Sequence, residues 1–142
     1  MSQTRAPIRV VIATASPTVR EMLRMHLECL GCSVIAEAVN AAQALNLFRS
    51  AMPELVMVDT AVPAQNGVDS LALLRAVRDQ SPSTTLIVIV SDPADPIAAR
   101  MTQNESHDFA IDPGDRKCFE LMWRGLAAIY PELRRPSAGV TP

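Results

Sequence analysis

The chain has no basic surplus, no long hydrophobic run and only three cysteines. Its 142 residues carry 13 Lys and Arg against 15 Asp and Glu, a formal charge of −2. With the cations scattered and not gathered into a stripe, sequence-independent binding of nucleic acid has no electrostatic footprint. Apolar runs such as Leu86 to Val90 stop far short of the roughly 20 residues that cross a bilayer, and the N-terminal stretch MSQTRAPIR has no apolar signal-peptide core. A soluble, cytoplasmic protein is expected. An odd number of cysteines without an export signal points to reduced thiols and not to a disulfide framework.

What the chain does have is apolar content, 49% of residues, enough for one core in one domain over residues 1–130. One domain of this length leaves little room for an output module. The tail 131–142, PELRRPSAGVTP, has too little apolar content to pack and is expected to be disordered.

Five strand-helix alternations follow from the patterning. Ile8 to Ala13 reads as a buried strand. Ser16-Pro17 supplies an N-cap and first helical position for a helix to about Leu30, ended by Gly31. Val19, Met22, Leu23, His26 and Leu30 share one face of it. Ser33 to Ala38 is a second strand and Ala41 to Ser50 a second helix, closed by Pro53. Leu55 to Asp59 is the third strand, Val68 to about Gln80 the third helix and Thr85 to Ser91 the fourth strand. A fourth helix covers Ile97 to Gln103, a brief fifth strand Phe109 to Ile111, and a fifth helix Asp115 to Tyr130. On this last helix Phe119, Met122, Leu126 and Ile129 form the inward stripe, with Leu121 and Trp123 at its edge or off it. Alternation of this kind implies a parallel sheet covered on both faces, a three-layer αβα sandwich of α/β class.

The informative stretch is ELVMVDTAVPAQNG, residues 54 to 67. Four apolar residues, Leu55 to Val58, meet a single carboxylate, Asp59, and loop chemistry follows at Pro63, Asn66 and Gly67. In open α/β sheets ligands gather at the carboxyl ends of the strands, which is where Asp59 falls.

This segment resembles the phosphoacceptor segment of bacterial response-regulator receiver domains (CheY-like), in which the aspartate is followed at four residues by proline and at eight by glycine. The resemblance runs from residue 8 to about 130. It implies the flavodoxin-like strand order 2-1-3-4-5, and makes Asp59 the phosphoacceptor equivalent and Phe109 the switch-aromatic equivalent. It also implies an acidic pair after the first strand, holding Mg²⁺ with the aspartate, a hydroxyl after the fourth strand and a lysine after the fifth. Phosphoryl transfer needs such cations against the developing charge.

The chain departs from that set. Thr14 and Ala15 stand in place of the acidic pair, so the oxygen ligands Mg²⁺ demands are short. Ser91 keeps the hydroxyl, but Asp92 follows it. Pro113 aligns with the proline after the family lysine, which puts Asp112 in the lysine's place. A carboxylate there, pointing inward about 5 Å from Asp59, would repel it by about 3 kcal/mol at an effective dielectric near 20. No other cation is evident near the site from the pattern. Three readings of Asp59 stand: an ordinary phosphoacceptor, a structural carboxylate accepting hydrogen bonds from Thr14 or loop N–H groups, or part of a pocket repurposed for another ligand.

Cys29-Leu-Gly-Cys32 spells C-x-x-C, and His26 extends it toward a zinc set. It lies at a helix C-terminus, where the dipole disfavours a thiolate, so two half-buried thiols beside a glycine stop are the plainer reading. His26 reads as a hydrogen-bonded rim histidine or a pH switch.

The expectation is therefore a stand-alone pseudo-receiver of a two-component phosphorelay pathway, not an enzyme, with neither metal nor cofactor. It would bind a protein partner, a histidine kinase or another regulator, without phosphorylation, and neither nucleic acid nor membrane. The binding surface would be the face of helix four, strand five and helix five, which also suits a homodimer. The alternatives are phosphorylation of Asp59 by a histidine kinase with Mg²⁺, and a thiol redox or metal sensor using Cys29 and Cys32.

Overall fold

A computed structural model describes residues 7–103 and 107–133. Ten elements alternate: β1 (Ile8–Ala13), α1 (Pro17–Cys29), β2 (Cys32–Ala38), α2 (Ala41–Ala51), β3 (Leu55–Asp59), α3 (Ser70–Gln80), β4 (Thr85–Ile89), α4 (Pro96–Gln103), β5 (Phe109–Ile111) and α5 (Cys118–Ile129). The strands form one sheet in the order β2-β1-β3-β4-β5, every pair parallel. The expected α/β sandwich and strand order are both present.

Strand alternation sorts the core into two halves. Val56 and Val58 of β3 with Leu86 and Val88 of β4 face α2, α3 and α4, around Phe48, Leu73, Leu74, Val77 and Met101. Leu55 and Met57 with Ile87 and Ile89 face α1 and α5, around Leu23, Leu27, Met122 and Leu126. Both faces of β3 and β4 are buried, which is why these strands read as unbroken apolar runs.

The helices begin where side chains can cap them. Ser16, Asn40 and Asp69 each accept a hydrogen bond from the amide three residues on. α3 therefore starts at Ser70 and not at the expected Val68. Val68 is instead paired antiparallel with Gln65 around a two-residue turn, in which Asn66 (φ 53°) and Gly67 (φ 77°) are both left-handed.

α5 starts at Cys118, three residues later than Asp115. The carboxylates of Asp112 and Asp115 accept from the amides of Gly114 (2.8 Å) and Lys117 (2.9 Å), making tight turns that precede the helix. β4 ends at Ile89, so Ser91 lies beyond the strand.

Side-chain placement corrects three expectations. Ile129 is exposed, not inward; Trp123, expected at the edge of the inward stripe or off it, is half-buried against the α1–α5 half of the core, as an edge position allows. Leu27, outside the expected face of α1, is fully buried there. Leu133, within the expected disordered tail, packs on the same cluster, and its amide bonds the Tyr130 carbonyl. Residues 134–142 of that tail lie outside the described residues.

Candidate functional site at the carboxyl edge of the sheet

The carboxyl ends of β1, β3, β4 and β5 deliver Thr14, Asp59, Ser91 and Asp112 to one edge of the sheet. Thr14 follows β1 directly, its amide bonded to the Ala38 carbonyl of β2 (3.0 Å), and it is fully buried. Asp59 ends β3 and is 3% exposed. A carboxylate that far from water costs several kcal/mol unless its oxygens are satisfied.

They are satisfied three times. The Thr14 hydroxyl donates to Oδ2 at 2.6 Å. The Ser91 hydroxyl donates to Oδ1 at 2.5 Å and the Ala61 amide to the same oxygen at 2.9 Å. Thr14 Oγ1 in turn accepts from the Ser16 amide (3.2 Å). The Asp59 carboxylate thus ties together the ends of β1, β3 and β4. Thr14 meets the Asp59 carboxylate with a hydroxyl donor and brings no charge of its own.

The other two pocket carboxylates each bond a backbone amide of their own turn. Asp112 is half-buried, and its Oδ1 is held by the Gly114 amide. Asp92 accepts from the Ala94 amide (3.0 Å). The Asp112 carboxylate thus caps its own turn, with one oxygen held locally. Ala15 is exposed and brings no polar side chain.

A cation that patterning did not reveal stands near the site. Arg20, on the first turns of α1, donates from Nη1 to the Thr14 carbonyl at 3.0 Å. Its Nε lies 4.0 Å from Glu37 of β2. Its spacing from Thr14 crosses a strand-to-helix turn, so no single period would have found it. Beside Asp59, the Thr60 hydroxyl is buried without a hydrogen-bond partner.

Mg²⁺ does not fit this donor set. Asp59 is the one carboxylate in the knot, and Thr14 and Ala15 supply no second. Among the described residues no group of three or more His, Cys, Asp or Glu side chains is placed to hold a metal.

Phe109 packs half-buried against the α1–α5 half of the core, and its ring points at Gly125 of α5. His26 departs from expectation: its ring stacks on Phe119 of α5 (centroids 3.4 Å, planes 18° apart) and its Nε2 is buried without a partner. Burial lowers its pKa below that of a free histidine. Cys29 is exposed and Cys32 buried, both free, and burial raises the Cys32 thiol to about 11. Among the described residues no helix is long and apolar enough to cross a membrane.

A doubly covered parallel sheet with an aspartate ending its third strand defines the receiver class of signalling domain. Residues 10–118 match the model of the response regulator receiver domain, and the chain belongs to that family, the receiver domain of two-component response regulators. It is 24% identical over 105 residues to the chemotaxis protein CheY of Thermotoga maritima, covering 74% of this chain and 85% of that protein. It is 30% identical over 70 residues to a putative transcriptional regulator of Pseudomonas aeruginosa, covering 49% of this chain and 34% of the regulator. The chain thus spans about a third of that relative's length. Among solved structures, the non-phosphorylated receiver domain of the stress response regulator RcsB from Escherichia coli superposes with a TM-score of 0.72. At 18% identity it covers 88% of this chain and 94% of that one, a likeness of fold.

Proposed function

We propose that this receiver is a phosphorylation-independent protein-interaction module, non-enzymatic and cytoplasmic, in which Asp59 is a structural carboxylate. The observation that carries the reading is the tie that Asp59 makes between strand ends, accepting hydrogen bonds from Thr14, Ser91 and the Ala61 amide. A phosphoacceptor needs cations placed to neutralise the incoming group. Here Thr14 and Ala15 stand where the family has its acidic pair, and Asp112 stands at the lysine position.

Binding would use the face of α4, β5 and α5, where Ile97 and Leu121 are exposed apolar side chains. Suitable partners are a histidine kinase, another regulator or a second copy of the chain; nucleic acid and membrane are not among them. A net charge of −2 with no basic stripe supports the exclusion of nucleic acid.

The runner-up is phosphorylation of Asp59 by a histidine kinase, favoured by one observation, the Ser91 hydroxyl in its family position on the carboxylate. The two readings part on divalent metal. Titrating Mg²⁺ while following backbone amide shifts of Ala15, Thr60 and Ala61 should give no saturable change; saturation, abolished by Asp59→Asn, would favour the runner-up. A thiol sensor finds less support, since the Cys32 thiol at about 11 stays protonated at neutral pH.

A further inference from the structure

Gly125 sits inside α5, eight residues into a twelve-residue helix, where glycine is a poor helix former. Here the packing around it supplies a reason. The reason is steric: a methyl group on its Cα would lie 2.5 Å from Cζ of Phe109 and 2.7 and 2.8 Å from Cε1 and Cε2. Those distances are shorter than any carbon–carbon contact. The ring of Phe109 enters α5 end-on, and only the missing side chain at 125 lets it in.

Phe109 opens the three-residue β5, an edge strand held in the sheet by β4 alone. The ring therefore supplies side-chain anchorage to an element with few ladder bonds.

We propose that Phe109 and Gly125 form a size-matched lock that fixes β5 to α5 in one arrangement. Phe109 is the key, Gly125 the slot, and the α4–β5–α5 surface is held in a single state irrespective of Asp59. This deepens the interaction-module reading and rests on it for its functional meaning, but not for its physics.

The lock is tested by thermal unfolding of Gly125→Ala, Phe109→Leu and the double variant. Helix propensity alone predicts that Gly125→Ala raises Tm. The lock predicts a fall of about 5 °C from overpacking, and recovery of most of that loss in the background of Phe109→Leu, whose shorter side chain leaves room. A rise in Tm for Gly125→Ala, or strictly additive shifts in the double variant, overturns the proposal.

Should Gly125→Ala fail to fold, the wild type decides. The nuclear Overhauser contact between the Phe109 ring and the Gly125 α-protons should be present and should persist with acetyl phosphate and Mg²⁺. Its absence from the untreated protein overturns the lock. Its loss on treatment together with a phosphoryl mass gain on Asp59 overturns the interaction-module reading and the claimed independence from Asp59, while leaving the packing of the resting state intact.

Discussion

Removing one hydroxyl should measure how firmly Asp59 is built into the fold. Thr14→Val keeps the shape of a fully buried side chain and deletes the donor to Asp59 Oδ2 and the acceptor of the Ser16 amide. A hydrogen bond to a charged group contributes about 1.5–3 kcal/mol, and an unmatched buried acceptor leaves that loss uncompensated. The Asp59 carboxylate is 3% exposed, so water does little to replace the donor. The expected destabilisation is about 2 kcal/mol, read as a lower urea midpoint at unchanged slope. Asp59→Ala, which removes all three contacts, should make Thr14→Val nearly harmless when combined with it. A double-mutant cycle with a coupling of about 1.5 kcal/mol or more is predicted. A Thr14→Val loss under about 0.5 kcal/mol, the range of ordinary surface substitutions, would refute the claim that the knot holds the strand ends together.

Gly67→Ala should cost about 1–2 kcal/mol by chemical denaturation, since φ is 77° and a Cβ there is strained even though the space around it is open; an unchanged midpoint would contradict the turn. Leu74→Ala, emptying a fully buried site between the sheet and α3, should cost about 2–5 kcal/mol in the same assay. The folded-state pKa of His26 lies below that of the unfolded chain, so the unfolded state binds more protons as pH falls. Stability should be full above pH 6.5 and decline below it, and His26→Phe should flatten that decline; an unchanged profile would contradict the stacked, partnerless ring. At neutral pH a thiol reagent should modify exposed Cys29 quickly, while Cys32 and Cys118, both buried and raised to about 11, should react only on unfolding; three equally fast thiols would contradict that ordering.

Strands and helices were legible because burial writes a simple pattern. Leu55 to Val58 and Leu86 to Ile89 are covered on both faces, so their sequence is apolar without a break. The element starts that slipped, at Val68 and Asp115, lie where short side chains bond the backbone locally: the Asn66-Gly67 turn and the Asp112 and Asp115 turns absorb residues that periodicity assigns to helix.

The site was legible as a set of positions and not as a set of bonds. Thr14, Asp59 and Ser91 are separated by 45 and 32 residues, and their hydrogen bonds exist only because three parallel strands end side by side. Arg20 and Gly125 were illegible for a related reason. One meets a carbonyl across a strand-to-helix turn and the other a ring from a different element, contacts that no spacing along the chain records.

The central claim is that Asp59 does not take up a phosphoryl group. It is tested most directly by intact mass after incubation with acetyl phosphate and excess Mg²⁺, beside an Asp59→Asn control. No mass gain in a wild type whose circular dichroism is intact is the predicted result. A phosphoryl-sized gain in the wild type, absent from the control, would contradict it and make the protein a phosphorylated switch with an unconventional pocket.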